Sequence, residues 1–198
     1  MFRAFKLQST ISFPKESEIR PFFFDFHLRT ITHIPGGRAL TTYIDFLQQL
    51  VEPGHDIWLD LSSITAAEIS KSNLIFQLGI FPGARGYTNG GSIEHIKEGE
   101  FNKTNYLSSL LRSFAEQYIE IFEYFGPETS KKKLIFSGGI ARRLPSFVEF
   151  IKERTNYLVV GANDVDESLM GLRLVALLAT GRTSDLMSAQ KYLKKLQP

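Results

Sequence analysis

The sequence predicts a mixed α/β domain, and three patterns lead to that prediction. Residues that favour strands fill the first third of the chain, strand-like and helix-like segments alternate after it, and glycine or proline turns separate them. Antiparallel strands that come first, followed by alternating strands and helices, are typical of a mixed sheet with helices packed on it. The 198 residues fit a single domain, 1–198.

The first third predicts three antiparallel strands, over residues 9–13, 18–26 and 27–34. Each segment alternates or clusters residues that favour strands, and turn-forming residues separate the first two. The turn at residues 35–37 then ends this meander, because its two glycines accept backbone angles needed where the chain enters a helix.

The middle of the chain predicts a helix over 39–50, where apolar residues recur at helical spacing. We expect a short strand over 57–60, a helix over 63–70 and a buried strand over 73–81 after it. Residues 82–91 hold four glycines and one proline, so they predict an exposed or ligand-facing loop without regular structure.

The last half begins with the longest periodic stretch, which predicts a helix over 104–125. Strands and helices alternate beyond it. The predicted elements are a strand over 134–136, a turn over 137–146, a helix over 146–154, a strand over 157–160, a cap over 163–167, a helix over 167–180 and a helix over 184–196.

Composition excludes several classes of function. The 23 basic and 21 acidic side chains leave a net charge of +2, which is not the electrostatic pattern of a nucleic-acid binder. With no cysteine, the chain has no disulfide, thiolate zinc site or cysteine nucleophile. No apolar run approaches the about 20 residues that span a bilayer, and no secretory signal is visible. We therefore expect a cytoplasmic protein without a membrane or nucleic-acid partner.

Three segments carry motifs in a fixed order, and together they resemble the C-terminal half of the FGGY carbohydrate kinases. These enzymes belong to the actin-like, hexokinase-like ATPase superfamily. The segments are Gly91-x-Ile93-x-His95-Ile96 with Asn105-Tyr-x-x-Ser109-x-Leu111, then Ser137-Gly-Gly-Ile-Ala-Arg-Arg143, then Asp166-Glu-Ser-Leu-Met-Gly-Leu-Arg-Leu-Val-Ala176. The segments at 19–22 and 28–40 also look like the start of this half in the sedoheptulose kinase-like branch, so the resemblance covers about residues 5–180.

The resemblance implies a ribonuclease H-like lobe that binds a nucleotide. It implies phosphoryl transfer from ATP, with Mg²⁺, to a sugar or polyol hydroxyl. Family kinases are two-lobed, and the N-terminal lobe carries the Asp-x-Gly-Thr phosphate motif and the general base. Neither is present here, so we expect no catalytic or metal-binding residue in this chain and no turnover without an N-terminal lobe.

The chain departs from the family pattern at several positions. Lys6-Leu7 replaces the usual Gly-Thr pair, and Arg112-Ser113 stands where many relatives have Glu-Gly. His95 and Ile140 stand where relatives have glycine. These departures keep a second function open, a catalytically inactive binding or assembly module derived from a kinase.

The segment Ser137-Gly-Gly-Ile-Ala-Arg-Arg143 resembles the family's adenosine motif, which implies a nucleotide site at Gly138, Gly139, Arg142 and Arg143. Without a Cβ, the two glycines let a purine or ribose lie against the main chain, and the arginines would flank phosphate or adenine. The alternative is that the glycines only link a strand to a helix and that the arginines are solvated.

The glycine-rich loop predicts a substrate or phosphate loop at Gly83, Arg85 and Gly86. In the resembled family it would face the sugar and the γ-phosphate, with Arg85 as an anion contact. The alternative is a flexible surface loop. The expected partners are ATP or ADP, a sugar or polyol, and an N-terminal kinase lobe or a second copy of the chain, because half of a two-lobed fold leaves an apolar face uncovered.

Overall fold

The structure, a computed structural model, describes residues 2–6, 17–22, 26–124, 133–155, 157–160 and 167–195. Strands and helices alternate along these residues, so the predicted mixed α/β class is confirmed. The described strands are β1 (Phe2–Lys6), β2 (Glu18–Pro21), β3 (Phe26–Thr30), β4 (Ile75–Phe76), β5 (Ile93–Glu94), β6 (Lys133–Ile135) and β7 (Leu158–Val160). The described helices are α1 (Gly37–Gln48), α2 (Ile57–Ser63), α3 (Ala66–Lys71), α4 (Lys103–Tyr124), α5 (Gly139–Arg143), α6 (Pro145–Arg154), α7 (Glu167–Ala179) and α8 (Leu186–Lys195).

The described strands form three small sheets. In the first, β3 lies between β1 and β2 and is antiparallel to both, with Ile19 opposite Arg29. The antiparallel pair predicted for 18–26 and 27–34 is confirmed, with shorter strands, as β2 and β3. The predicted first strand, 9–13, lies outside the described residues, and β1 was not predicted. A short connection pairs β2 with one edge of β3, and the other edge is left for β1.

The other two sheets are pairs. Strands β4 and β5 are antiparallel, whereas β6 and β7 are parallel, with Leu134 opposite Val159. A parallel pair needs a long crossover connection, and α6 provides it. The crossover helix also contacts β7, so β6, α6 and β7 form one packed unit.

The predicted strand over 57–60 is wrong, because these residues begin helix α2. The Asp56 side chain accepts a hydrogen bond from the Trp58 N–H at 2.9 Å and so caps the helix start. Ile57 and Leu61 are both buried, four residues apart, on the side of α2 that faces the core. Four residues are too few for this helical period to be distinguished from a strand.

The other predicted elements agree more closely with the structure. The helices over 39–50, 104–125, 146–154 and 167–180 are confirmed as α1, α4, α6 and α7, with no end shifted by more than two residues. The predicted strand over 73–81 is confirmed only as the two residues of β4. The predicted strand over 9–13 and part of the predicted cap over 163–167 lie outside the described residues.

Helix α4 is the centre of the hydrophobic core. Its residues Leu107, Leu110 and Phe114 are almost fully buried, and the helix contacts α2, α3, α6 and β4. The Phe114 ring lies 5.1 Å from that of Phe147 in α6, and the Phe147 ring lies 5.7 Å from that of Phe136 after β6. These aromatic contacts attach the β6–α6–β7 unit to α4. Within the described part of the chain, no helix combines the length and apolarity needed to cross a membrane.

Candidate functional site

The turn after β6 contains two glycines, Gly138 and Gly139, and they differ in whether the structure requires glycine there. Gly138 has a φ of +95° at the N-cap of α5, a backbone conformation that residues with side chains rarely adopt. Gly139 has no such constraint. Among the described residues, no atom lies within 4 Å of the position that a Cβ on Gly139 would take, so the main chain there borders open space.

The two arginines of this turn differ in their surroundings. Both Arg142 and Arg143 are exposed. The Arg143 guanidinium lies 5.0 Å from the centre of the Trp58 ring in α2, a cation–π contact that gives Arg143 a structural partner. Arg142 makes no comparable contact within the described residues, so of the two it is the side chain available to a ligand.

The loop over 79–91 is closely packed at its two ends. A Cβ on Gly79 would lie 2.7 Å from the carbonyl oxygen of Gly86 and from the backbone nitrogen of Tyr87. A Cβ on Gly91 would overlap the hydroxyl of Tyr43. These two glycines are therefore required by close approach of the chain to itself, whereas Gly83 and Gly86 are required by φ values of +84° and +75°.

The predicted loop contacts the start of helix α1. The backbone N–H of Arg85 donates to the carbonyl oxygen of His33 at 2.6 Å. The Arg38 guanidinium lies 4.7 Å from the centre of the Phe81 ring. Two separate contacts therefore hold the 81–86 segment beside the turn that begins α1.

The predicted nucleotide turn also lies close to the start of helix α1. A Cβ on Gly37, the first residue of α1, would lie 3.3 Å from the Cδ1 atom of Ile140 in α5. Both predicted loops therefore lie beside the N-terminus of α1. From sequence, residues 35–37 are predicted only as a turn into a helix, because no local pattern shows which distant loops a turn will contact.

The N-terminus of α1 favours negative charge. The first backbone N–H groups of a helix have no partner inside it and carry the positive end of the helix dipole. Gly36 caps α1 without a side-chain hydrogen bond, and the first turn contains no acidic residue. The Ala39 N–H already donates to the carbonyl oxygen of Gly36 at 2.9 Å, so the donors that a phosphate group would satisfy are the N–H groups of Gly37 and Arg38.

A cavity of about 430 Å³ adjoins this region. Arg85 and Gly86 line it, whereas Gly83 and the predicted nucleotide residues 138, 139, 142 and 143 do not. The remaining polar lining residues come from α4 and from the segment after β4. They are Gln77, Ser113, Glu116, Gln117 and Glu120.

The acidic wall of this cavity was missed by sequence reasoning. Glu116 and Glu120 are four residues apart on α4 and so share one face of the helix. Glu116 accepts a hydrogen bond from Arg112 Nε at 2.9 Å, and Gln117 donates to the carbonyl oxygen of Pro35 at 2.8 Å. Helical spacing along α4 is the signal that would have placed the two glutamates together.

Side chains of α4 hold the cavity wall in place. Ser109 Oγ accepts from the Leu74 N–H at 3.1 Å, and Ser113 Oγ accepts from the Phe76 N–H at 3.0 Å. Arg112 donates to the carbonyl oxygen of Ser72. The segment 72–76 thus satisfies its backbone groups mainly with α4, and this explains why so little of it is regular strand.

Asn105, which carries part of the resemblance, also has a structural role here. Its Nδ2 donates to Asn73 Oδ1 at 2.8 Å and to the carbonyl oxygen of Glu100 at 2.7 Å. Its Oδ1 accepts from Ser109 Oγ at 3.2 Å. The network fixes the first turn of α4 against residue 73.

Two tyrosines near the cavity stay protonated at neutral pH. Burial raises the pKa of Tyr106 to about 12, with a smaller contribution from Tyr43, and burial also raises the pKa of Tyr43. Tyr43 donates its hydroxyl to the carbonyl oxygen of Gln77 at 2.8 Å. Both groups therefore act as hydrogen-bond donors rather than as acids or bases. Among the described residues, no three His, Asp or Glu side chains form a group that could hold a metal ion.

Comparison with known proteins gives no assignment: no protein family matches the chain, and no curated protein matches it. The resemblance to the FGGY kinases therefore rests on the motifs quoted above.

Proposed function

We propose that the chain is the nucleotide-binding, C-terminal lobe of an ATP-dependent carbohydrate kinase. Combined with an N-terminal lobe, it would transfer a phosphoryl group from ATP to a sugar or polyol hydroxyl. The observation that carries the proposal is the meeting of the two predicted loops at the start of α1, through Gly37 with Ile140 and Arg85 with His33. The ribonuclease H-like lobe is the fold that accompanies this function, and the parallel β6–α6–β7 unit supports it.

The residues present fit the adenosine end of a nucleotide. The open space beside Gly139 is a cradle that a side chain would fill, and Arg142 is exposed beside it. The nucleotide, when bound, supplies the phosphoryl group. The backbone N–H groups at the start of α1 would bind its phosphates, since phosphoryl transfer depends on positioning and charge compensation.

Mg²⁺ fits this lobe less well. The described residues contain no group of three carboxylate or histidine ligands, and Mg²⁺ in such enzymes is held largely by the phosphates and by water. Arg85 and Gly86 line the adjoining cavity and would face the acceptor sugar or polyol.

The proposal requires a partner lobe. Loss of a positioned general base typically costs about 10² to 10⁴ in rate, and the motif that supplies it is missing here. The β6–β7 pair carries exposed apolar residues that a lobe or a second copy would cover, with Ile135 67% and Leu158 57% exposed.

A reconstitution assay tests this function. The purified chain, Mg²⁺, ATP and a panel of ketoses and polyols are incubated with and without an N-terminal kinase lobe of the FGGY type, and ADP release is followed. We expect sugar-dependent release only when the lobe is added, and loss of that release in Gly139→Val. Sugar-dependent release by the chain alone would contradict the proposal.

The second candidate function is a catalytically inactive binding or assembly module. It is favoured by the structural use of residues that depart from the family pattern, because Arg112 and Ser113 both bind the backbone of segment 72–76. Formation of a stable complex with the lobe, without any ADP release, would favour this candidate over the kinase lobe.

A further inference from the structure

Helices α7 and α8 form a hairpin with its own cavity. The two helices pack on each other, and Leu177 and Ala189 are buried. Gly181, with a φ of +68°, ends α7 and turns the chain, so that the Arg182 N–H donates to the carbonyl oxygen of Leu177 at 3.0 Å. This turn returns Arg182 to the side of α7.

The cavity measures about 300 Å³, the lower end of the range for ligand pockets, which is about 300 to 1,000 Å³. It shares no lining residue with the cavity beside α1. Its lining combines two arginines, two hydroxyl-bearing residues and an apolar wall. The residues are Arg173, Arg182, Thr180, Tyr192, Ala176, Leu177 and Leu193.

The charge of the described lining residues is positive. Arg173 and Arg182 contribute two guanidinium groups, and no acidic residue is among the described residues that line the cavity. The nearby carboxylate of Asp185 is engaged at the start of α8, where it accepts from the Ser188 N–H and hydroxyl, both at 2.8 Å. Within the described residues, neither arginine has a side-chain partner that would neutralise it.

Two like charges that share one cavity repel each other, and an oxyanion between them removes that cost. A guanidinium presents a planar fork of N–H donors that matches phosphate oxygens in pairs. Both arginines are exposed, so the cavity is an open groove that an anion can enter from solvent. The chemistry of the lining therefore selects a phosphate group rather than a cation or a neutral sugar.

The outer face of α7 adds a second feature. Leu169, Leu172 and Val175 are exposed, and Leu172 is 65% exposed. Exposed apolar side chains that lie together commonly mark an interaction surface. A phosphate group attached to a lipid would place its chains against this face, whereas a soluble phosphate ester would use the cavity alone.

We propose that the α7–α8 cavity is a binding site for a phosphate monoester, held between the guanidinium groups of Arg173 and Arg182. The site is independent of the proposed nucleotide turn. Its ligand is either a soluble phosphate or the headgroup of an anionic lipid, and these two sources present the same group to the two arginines.

Titration of the full chain with inorganic phosphate tests the site. We expect saturable binding by the wild type and a loss of affinity of about tenfold to a hundredfold in Arg173→Gln and in Arg182→Gln, the usual range for a hydrogen bond to a charged group. The matched control is Lys191→Gln with Lys195→Gln, which removes two exposed charges from α8 outside the lining. We expect the control to lose less than about threefold, because neither lysine lines the cavity and each would act on the anion only at a distance, where salt screens the charge.

Vesicles distinguish the two sources. Phosphatidylcholine vesicles with and without phosphatidic acid are sedimented with the wild type, the arginine variants and Leu172→Ser. If a lipid is the source, phosphatidic acid is required for binding, and Leu172→Ser weakens vesicle binding while phosphate affinity is unchanged. Phosphate binding without vesicle binding identifies a soluble ester, and both results support the site.

Two results would overturn the proposal. One is the absence of saturable binding of both phosphate and phosphatidic acid vesicles by the wild type. The other is an equal loss of binding in the arginine variants and in the lysine control, which would show that general positive charge, rather than the cavity, attracts the anion. Circular dichroism of each variant establishes that the fold is retained.

Discussion

The hydroxyl oxygen of Ser113 accepts a hydrogen bond from the backbone N–H of Phe76 at 3.0 Å. This contact joins the central helix α4 to strand β4, and Ser109 makes the equivalent contact with Leu74 one helical turn earlier. Ser113 also lines the cavity beside Arg85. A residue that departs from the family pattern thus holds a wall of the candidate site.

Replacement of Ser113 by alanine should destabilise the protein. The partly buried Phe76 N–H would lose its acceptor, and an unsatisfied buried donor costs about 1 to 3 kcal/mol. Urea unfolding measures the change. Ser63→Ala is the control, because its hydroxyl donates to the carbonyl oxygen of Asp60 at an exposed position, and we expect a change of less than about 0.5 kcal/mol there. Equal losses in the two variants would contradict the structural role of Ser113.

Replacement by alanine should destabilise the protein at Gly79 and stabilise it at Gly171. A Cβ on Gly79 would lie 2.7 Å from backbone atoms of Gly86 and Tyr87, so the loop must shift, at a cost of about 1 to 3 kcal/mol. Gly171 lies inside α7, and a Cβ there meets no described atom within 4 Å. Gly171→Ala should therefore stabilise the protein by about 0.5 to 1 kcal/mol, since alanine favours helix. Thermal unfolding distinguishes the two, and a stabilising Gly79→Ala would refute the close approach.

Much of the fold was predictable because it depends on local periodicity. Helix α4 has apolar residues at helical spacing over its whole length, and its position was predicted to within one residue at each end that the structure describes. Helix α2 was not predictable in the same way, because Ile57 and Leu61 are its only two buried residues. The position of β3 between β1 and β2 depends on pairing between distant segments, which no local pattern encodes.

In the candidate site, too, local features were predictable from the sequence and contacts between distant segments were not. The sequence predicted that both glycine-rich segments are turns and proposed them as ligand loops. It could not show that both lie beside the start of α1, since the contact of Gly37 with Ile140 joins residues about a hundred positions apart. The need for glycine at position 79 is likewise set by the distant backbone of Gly86.

Asp60 should make the stability depend on pH in the acid range. Hydrogen bonds from His55 at 2.7 Å and then from Lys103 at 2.9 Å hold the pKa of the Asp60 carboxyl below its usual value. Because the pKa is lower in the folded than in the unfolded state, this stabilisation is complete above the unfolded pKa of about 3.9 and is lost as the pH falls through the folded value.

The substitution Asp60→Asn measures this contribution. We expect a loss of about 0.5 to 1 kcal/mol at pH 7, a modest amount because the ion pairs are partly exposed, and convergence with the wild type at low pH. Asp45→Asn, on an exposed position of α1, is the control. A difference between Asp60→Asn and the wild type that did not shrink on acidification would contradict the assignment.

Substitution of Arg142 should affect nucleotide binding, whereas substitution of Arg143 should affect stability. Arg143→Gln removes the cation–π contact with Trp58 and should cost about 0.5 to 1 kcal/mol of stability. Arg142→Gln should leave stability unchanged and weaken ADP binding, because its side chain is exposed beside the glycine turn. Chemical denaturation and nucleotide titration of both variants test this, and the reverse pattern would show that the roles are exchanged.

Titration of the chain with ATP and ADP, in the presence of Mg²⁺, tests the central claim most directly. Wild type, Gly139→Val and Gly171→Val are compared, because both glycines border open space and only Gly139 lies in the proposed adenosine site. We expect weak saturable binding by the wild type and by Gly171→Val, and none by Gly139→Val, whose side chain fills the place of the nucleoside. Equal affinity of wild type and Gly139→Val would contradict the nucleotide site, and so would the absence of binding by the wild type at millimolar nucleotide.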